Sequence, residues 1–344
     1  MLEGKDKAWL MKQNVMTDGR MLNRMKYMHM MILYLYYASP LKLPLVACRM
    51  IELSLHHGIC RESAMAFSAH ALVCCSFLGD YEGGYQIGCI ATAIVEKFNA
   101  RELVGRINMV LCACVNVWTQ PLQSTLPLLE YGYDAAISSG DPEYALICTQ
   151  VHTMTGFLCG QPLEGIVENL SRLTKECNRH RMDLVTAVIF PLWQCIENLI
   201  GDSKHGKDPT VLDGAIIQGD AYVDAQLALG KGNYKTSIFQ YYLMRMILAY
   251  SFERDELAAE MYDRCMEFDP EKNARGRPTI FVNAFYGALA ALSMERRDPS
   301  NPKWKGIIDA VLPRLERWAK ASAWNCEHKL LFLRESLEFA IEVK

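Results

Sequence analysis

The sequence predicts an all-α fold, a right-handed superhelix of stacked helix–turn–helix repeats. Three observations carry that expectation. Turn residues recur at Gly79-Asp80, Gln120-Pro121, Gly160-Gln161-Pro162 and Gly201-Asp202, roughly 40 residues apart, the period of a two-helix repeat. Between them, breaks at His57-Gly58, Asn99-Ala100, Gly140-Asp141 and Asn178-Arg179 each open a second helix. No stretch sustains the period-two alternation of a half-buried strand, so essentially no sheet is expected. A helix pair of this kind cannot bury its apolar side alone and must stack on its neighbours. Over 344 residues, this period gives about fourteen to sixteen helices in a single repeat domain.

The elements follow in order. Residues 1–20 are mixed and polar. Met21, Met25, Met28, Ile32 and Leu35 then keep the helical period. Ser39-Pro40 ends that helix, because the residue before a proline is driven out of the α region. Residues 1–40 are read as a helical segment that docks on a domain upstream. Leu45 to Leu55 restarts the helix, and Arg61 to Leu78 is rich in small residues that let a neighbour approach closely. Asp80 caps the next helix by accepting orphan N–H groups. Gly84 and Gly88 within it would each cost about 1 kcal/mol relative to alanine unless close packing offsets them. Arg101–Trp118 and Pro121–Ser139 form the next pair. Asp141-Pro142-Glu143 is a start signal of cap, first-turn proline and first-turn acid. Tyr144–Leu158, Pro162–Glu176 and His180–Ile200 follow, with Pro191 expected to kink the last. Gly201–Asp213 is the longest polar break and a candidate sub-boundary. Tyr234–Ser251, a helix through Leu257, Met261 and Cys265, then Ile280–Met294, Trp304–Lys320 and Cys326–Val343 complete the chain.

Composition narrows the class. Apolar residues make up 51% and charged residues 22%, a globular balance rather than a disordered one. A net charge of −3 argues against nucleic acid, whose binding needs a basic surface to displace counterions. The thirteen cysteines are odd in number and scattered through apolar stretches. They read as small buried hydrophobes in a reducing compartment, so a cytoplasmic location is expected. No signal peptide is recognised at the start. The apolar run from Met28 to Ala38 is too short to span a bilayer, and a membrane partner is not expected.

Four segments look like one family: LSLHHGICRESAMAFSAHALV, FLGDYEGGYQIGCIATAIVEKFNA, VNVWTQPLQSTLPLLEYGYDAAISSGDPEYALIC and RLERWAKASAWNCEHKLLFLRESLEFA. They resemble the tetratricopeptide-like helical region of large multidomain signalling proteins. Those proteins combine a kinase-like domain, an AAA/STAND-type ATPase, a GAF domain and a histidine kinase. The resemblance runs from about Leu41 to Ala340. It implies a tetratricopeptide-like α-solenoid that senses or relays ATPase state, with an ATPase or kinase domain as its protein partner in cis or in trans. The catalytic parts have no counterpart here. Gly230-Lys231-Gly232-Asn233-Tyr234-Lys235-Thr236 has the wrong spacing for a phosphate-cradling P-loop, and no kinase motif exists.

Other candidate chemistry is sparse. His56 and His57 diverge by about 100° on a helix and lack further ligands at metal spacing. Cys112 and Cys114 are not a CxxC pair, and no G-x-S-x-G elbow is present. No cofactor and no metal is therefore expected. The interaction candidates are Met21, Met25 and Met28, extended by Met30, Met31 and Tyr34, because methionine-rich surfaces adapt to varied partners; packing of this helix on the first repeat is the equal alternative. Trp118 and Trp193 are candidate aromatic anchors on a concave face, although ordinary core packing is the favoured reading of both. Trp318 and Trp324 are expected to close the last repeat. Arg275, Arg277, Arg296 and Arg297 form a possible basic patch, or a solvated surface. The expected function is a non-catalytic module for protein interaction or conformational relay. The alternative is an all-α small-molecule sensor or enzyme with a central pocket near Trp118, His152 and Trp193.

Overall fold

The computed structural model describes residues 7–201, 208–230, 234–274 and 276–342. Among them the regular structure is helical: α1 (Lys7–Met11), α2 (Gly19–Ala38), α3 (Leu43–His57), α4 (Ser63–Val73), α5 (Tyr81–Phe98), α6 (Val104–Cys114), α7 (Leu126–Ser138), α8 (Pro142–Leu158), α9 (Leu163–His180), α10 (Asp183–Ile200), α11 (Gly219–Leu229), α12 (Tyr234–Ser251), α13 (Asp255–Glu267), α14 (Pro270–Asn273), α15 (Thr279–Arg297), α16 (Pro302–Ala321) and α17 (Ala323–Glu342). Extended pairing among the described residues is limited to isolated bridges, Val15 with Ile59 and Asp213 with Gln218. The chain divides into two compact units, Met1–His152 and Thr153–Lys344. The polar segment 201–213 lies inside the second unit, and its residues 202–207 are outside the described set, as are residues 231–233 of the P-loop-like run and Arg275.

In the first unit α4 is the centre, packed by α2, α3, α5 and α6. Every α4 residue except His70 is buried. Its alanines and serines make this possible, since small side chains let several helices approach at once. The hydroxyls do not go unpaired: Ser54 bonds Ser63 at 2.8 Å and the Met50 carbonyl at 2.9 Å, as buried polar groups require. Asp80 caps α5 by accepting the Gly83 N–H at 2.9 Å. A Cβ on Gly84 would sit 3.0 Å from the Ala71 carbonyl and 2.5 Å from the Cys75 sulfur. The glycine that weakens α5 locally therefore lets it lie against α4.

In the second unit α12 holds the equivalent position, touching α10, α11, α13, α14 and α15. Twelve of its eighteen residues are buried, including Tyr241, Met244 and Met246. At about 1.5–3 kcal/mol for each large apolar side chain, this helix is a main source of the unit's stability. α10 continues through Pro191 and α16 through Pro313. α15 packs on α13, α16 and α17, and α16 pairs with α17.

Most contacts join sequence neighbours or next-but-one helices. Polar contacts also recur at nearly one separation. Arg61 meets Glu102 41 residues on, Cys148 bonds the Gly105 carbonyl 43 residues back, Lys303 meets Asp263 40 residues back, and Arg297 meets Asp255 42 residues back. The period visible in the turns thus returns as contacts inside each unit. Exposed pairs of this kind each contribute only about 0–1 kcal/mol, so they mark the register more than they hold it.

Candidate functional site

Two features of the first unit stand apart from its core. The first is α2. Asp18 begins this helix by accepting the Arg20 N–H at 2.8 Å. From Gly19 to Ile51 the chain carries Arg20, Arg24, Lys26, Lys42 and Arg49 and no acid. Met25, Ile32 and Leu33 are buried on this helix, which packs against α3 and α4. Tyr27, Met30, Met31 and Tyr34 are exposed, at 68%, 50%, 46% and 66%. Their spacing of three, four and seven residues places them on one face. Leu41 and Leu45, further along, are exposed as well. The result is a basic helix with an uncovered aromatic and methionine row.

This sorts the expected methionine stripe. Met25 is fully buried, Met21 and Met28 are half-buried, and Met30, Met31 and Tyr34 face solvent. The row Met21–Met25–Met28 is the edge that seats α2; the accessible row is its neighbour. Trp118 is buried and stacked on Tyr81, with centroids 4.9 Å apart. His152 Nε2 lies 3.1 Å from a Glu130 carboxylate oxygen. Both are in the first unit. Trp193, in the second, is half-buried and donates from Nε1 to Glu197 at 2.9 Å. Trp318 is buried under the Arg314 guanidinium, whereas Trp324 is exposed. Two of the four arginines of the expected basic patch are already engaged. Arg296 donates to the Ser336 carbonyl at 2.9 Å, and Arg297 bridges Asp255 and Glu256.

The second feature is a cavity of about 640 Å³ lined by residues of the segment before α2, of α2 itself, of the start of α4, of α6 and of the turn into α8. One wall is set by backbone pairing. Met16 N–H donates to the Ile59 carbonyl at 2.9 Å, and Ile59 N–H to the Asn14 carbonyl at 2.8 Å. Gly58 makes this possible: its φ is +91°, and a Cβ there would lie 2.6 Å from the Asn14 oxygen. The Lys97 ammonium pins the same segment by donating to the carbonyls of Leu10 and Gln13.

The charges in this cavity are arranged in pairs, with a remainder. Arg61 meets Glu102 at 2.6 Å. Arg106 donates from Nε and Nη2 to Asp141 at 2.8 Å and lies 4.5 Å from the Tyr144 ring centroid. Burial pushes the Tyr144 phenol up and raises the Glu143 carboxyl. Glu62 is only 5% exposed; the Cys60 side chain hydrogen-bonds it, and among the described residues it joins no ion pair. Burial, and then the nearby Arg106 charge, hold the His29 imidazole below its ordinary range. The buried Nδ1 of His29 makes no well-formed hydrogen bond, although the Lys26 carbonyl lies close.

Nothing in the sequence pointed to this cavity. Glu62 is a lone acid entering an apolar helix, and His29 a lone histidine in an apolar run. The only available signal was a charge at the start of α4 without a partner at helical spacing. Among the described residues no three His, Cys, Asp or Glu side chains converge as metal ligands. Ten of the thirteen cysteines are buried. Burial raises the thiols, Cys74 to about 11 and Cys148, Cys177 and Cys326 to about 12, which suppresses the thiolate that nucleophilic chemistry requires. α10 is long and apolar enough to cross a membrane, with 56% of that span buried in the fold, as a core helix of a soluble unit also would be.

No protein-family model, no curated protein and no solved structure matches this chain.

Proposed function

We propose that this chain is a non-catalytic helical-repeat module that binds a protein partner through the exposed row of α2. The observation that carries the reading is the conjunction on one helix of Tyr27, Met30, Met31 and Tyr34 in solvent with a stretch from Gly19 to Ile51 that has no acid. Aromatic side chains and methionine supply adaptable contact area. The flanking cations favour an acidic surface and steer its approach. An apolar groove edged by carboxylates is the complementary partner, bound in the helix-in-groove manner.

On the family resemblance, the reading assigns that groove to an ATPase or kinase domain, in cis or in trans. Neighbour-on-neighbour packing and the recurring contacts are compatible with a tetratricopeptide-like right-handed superhelix. In such an array each repeat holds chiefly its neighbours, so curvature changes at modest cost. Nucleotide state in the partner would then pass along the module as a change in curvature. A photo-reactive residue in place of Tyr34, used in the native cell, tests the partner. The expected adduct is a protein carrying a P-loop or kinase domain. A yield no higher than from a photo-reactive residue at exposed Glu164 would contradict the reading. The small-molecule sensor remains the second reading, and the first-unit cavity is the observation that favours it.

A further inference from the structure

We propose that α17 is a self-association surface: two copies of this chain pair through it, antiparallel, about a two-fold axis that passes between Leu331 and Phe332. This surface belongs to the second unit and does not depend on the α2 row.

α17 packs on α15 and α16 along one side. Its other side carries Trp324, Leu331, Phe332 and Phe339, exposed at 73%, 50%, 51% and 61%. Seven residues separate Trp324 from Leu331 and Phe332 from Phe339, so they form two adjacent rows along the helix. Phe332 meets the Phe285 ring edge-on at 6.2 Å, and the Arg296 guanidinium lies 5.9 Å from the Phe339 centroid. Neither contact covers its ring. Large apolar side chains scattered over a surface are ordinary; clustered ones need an explanation.

The spacing permits self-pairing. A two-fold interface requires residue i to meet j wherever j meets i. An antiparallel pair centred between 331 and 332 sets Trp324 against Phe339 of the second copy and Leu331 against its Phe332, each contact made twice. The exposed row of α2 has a similar symmetry, so charge decides between the two helices. α2 bears cations and no acid, and pairing with itself would set like charges together.

α17 carries both signs, and the antiparallel register matches them. Each flank of one helix then faces the same flank of the other. Glu327 and Arg334 are seven apart on one flank, so each falls nearly level with the other in the second copy. His328 falls opposite Glu335. Glu338 comes beside the first turn of the second α17, where the helix dipole is positive. Arg334 also meets Glu316 at 2.7 Å, yet its side chain stays 47% exposed. Lys329 would come level with Arg334, but it turns inward over the Phe281 and Phe285 rings, at 5.6 and 6.0 Å. A parallel pair would instead oppose Glu327 to Glu327, Arg334 to Arg334 and Glu335 to Glu335.

One helix face is a small interface, so a reversible dimer with a Kd of roughly 1–100 µM is expected. Sedimentation equilibrium of the full chain across that range measures it. Trp324→Glu should weaken the dimer about tenfold or more. Glu327→Arg and Arg334→Glu should each weaken it about threefold or more, and the double variant should return to within about twofold of the parent. All three positions are exposed, so the charge swap carries the test even if Trp324→Glu does not fold. A photo-reactive residue in place of Trp324 then reports orientation in the purified chain. The expected adduct joins it to the peptide holding Phe339 of the second copy, because position 339 of its own helix is about 22 Å away. A chain that stays monomeric to roughly 300 µM, a dimer indifferent to Trp324→Glu, a double variant no better than the single ones, or an adduct at position 324 or on α2 would each overturn the proposal.

Discussion

α2 and α12 are made of the same material and meet opposite fates. α2 reads Met-His-Met-Met-Ile-Leu-Tyr-Leu-Tyr-Tyr along its second half, and α12 reads Tyr-Tyr-Leu-Met-Arg-Met-Ile-Leu-Ala-Tyr. In α12, Tyr241, Met244 and Met246 are fully buried, because five other helices surround it. In α2, the equivalent residue types at 27, 30, 31 and 34 face solvent, because its main contacts are α3 and α4 on one side. Apolar composition therefore does not decide burial; the number of neighbouring helices does. An isolated exposed Leu or Tyr on a protein surface is ordinary; a contiguous row is not, and the proposed docking role rests on that difference.

The contrast is sharpest in stability. Tyr241→Ala should cost about 3–5 kcal/mol, as large aromatic truncations in cores do, whereas Tyr34→Ala should stay within about 0.5 kcal/mol of the parent. Urea unfolding of the two variants measures this; similar losses would erase the distinction between the helices. Gly58→Ala comes next, at about 1–3 kcal/mol, because the left-handed backbone and the Asn14 carbonyl both oppose a side chain. Its thermal midpoint should fall clearly, and the bridge to residues 14–16 should loosen.

A smaller effect is expected from pH. Burial lowers the pKa of His29, His70 and His328 below the ordinary 6.5. The unfolded chain then takes up protons at higher pH than the folded one, so stability rises with pH in this range. The contribution is present in full above about 6.5 and is lost as pH falls through the folded values. Thermal midpoints measured between pH 7 and pH 5 should decline, and His70→Gln should flatten part of that slope. The smallest effect belongs to the exposed pair at Arg297, where Arg297→Ala should cost less than about 1 kcal/mol despite its two carboxylate partners.

Much of the local fold was legible in the sequence. Asp80 before an apolar run announced a cap, and it accepts the Gly83 N–H. The adjacent glycines announced close approach, and Gly84 lies against the Ala71 carbonyl. Such features act over a few residues, so a linear reading captures them. The candidate surfaces were not legible in the same way. Two adjacent rows of α2 are equally apolar, and nothing within α2 says which one meets α3 and α4. The cavity was less legible still, since Lys26, Glu62, Arg106 and Asp141 come together only through packing. Each looks like an ordinary surface charge until its neighbours are known.

Methionine oxidation by dilute hydrogen peroxide, followed by mass spectrometry, tests most directly whether α2 carries an uncovered docking row. A thioether reacts according to its exposure. In the purified chain, Met30 and Met31 should oxidise about tenfold faster or more than Met244 and Met246, given exposures of 50% and 46% against 0% and 0%. In intact cells the rates at Met30 and Met31 should drop towards those of the buried pair while the latter stay unchanged. Equal rates at all four methionines in the purified chain, or undiminished oxidation of Met30 and Met31 in cells, would contradict the account.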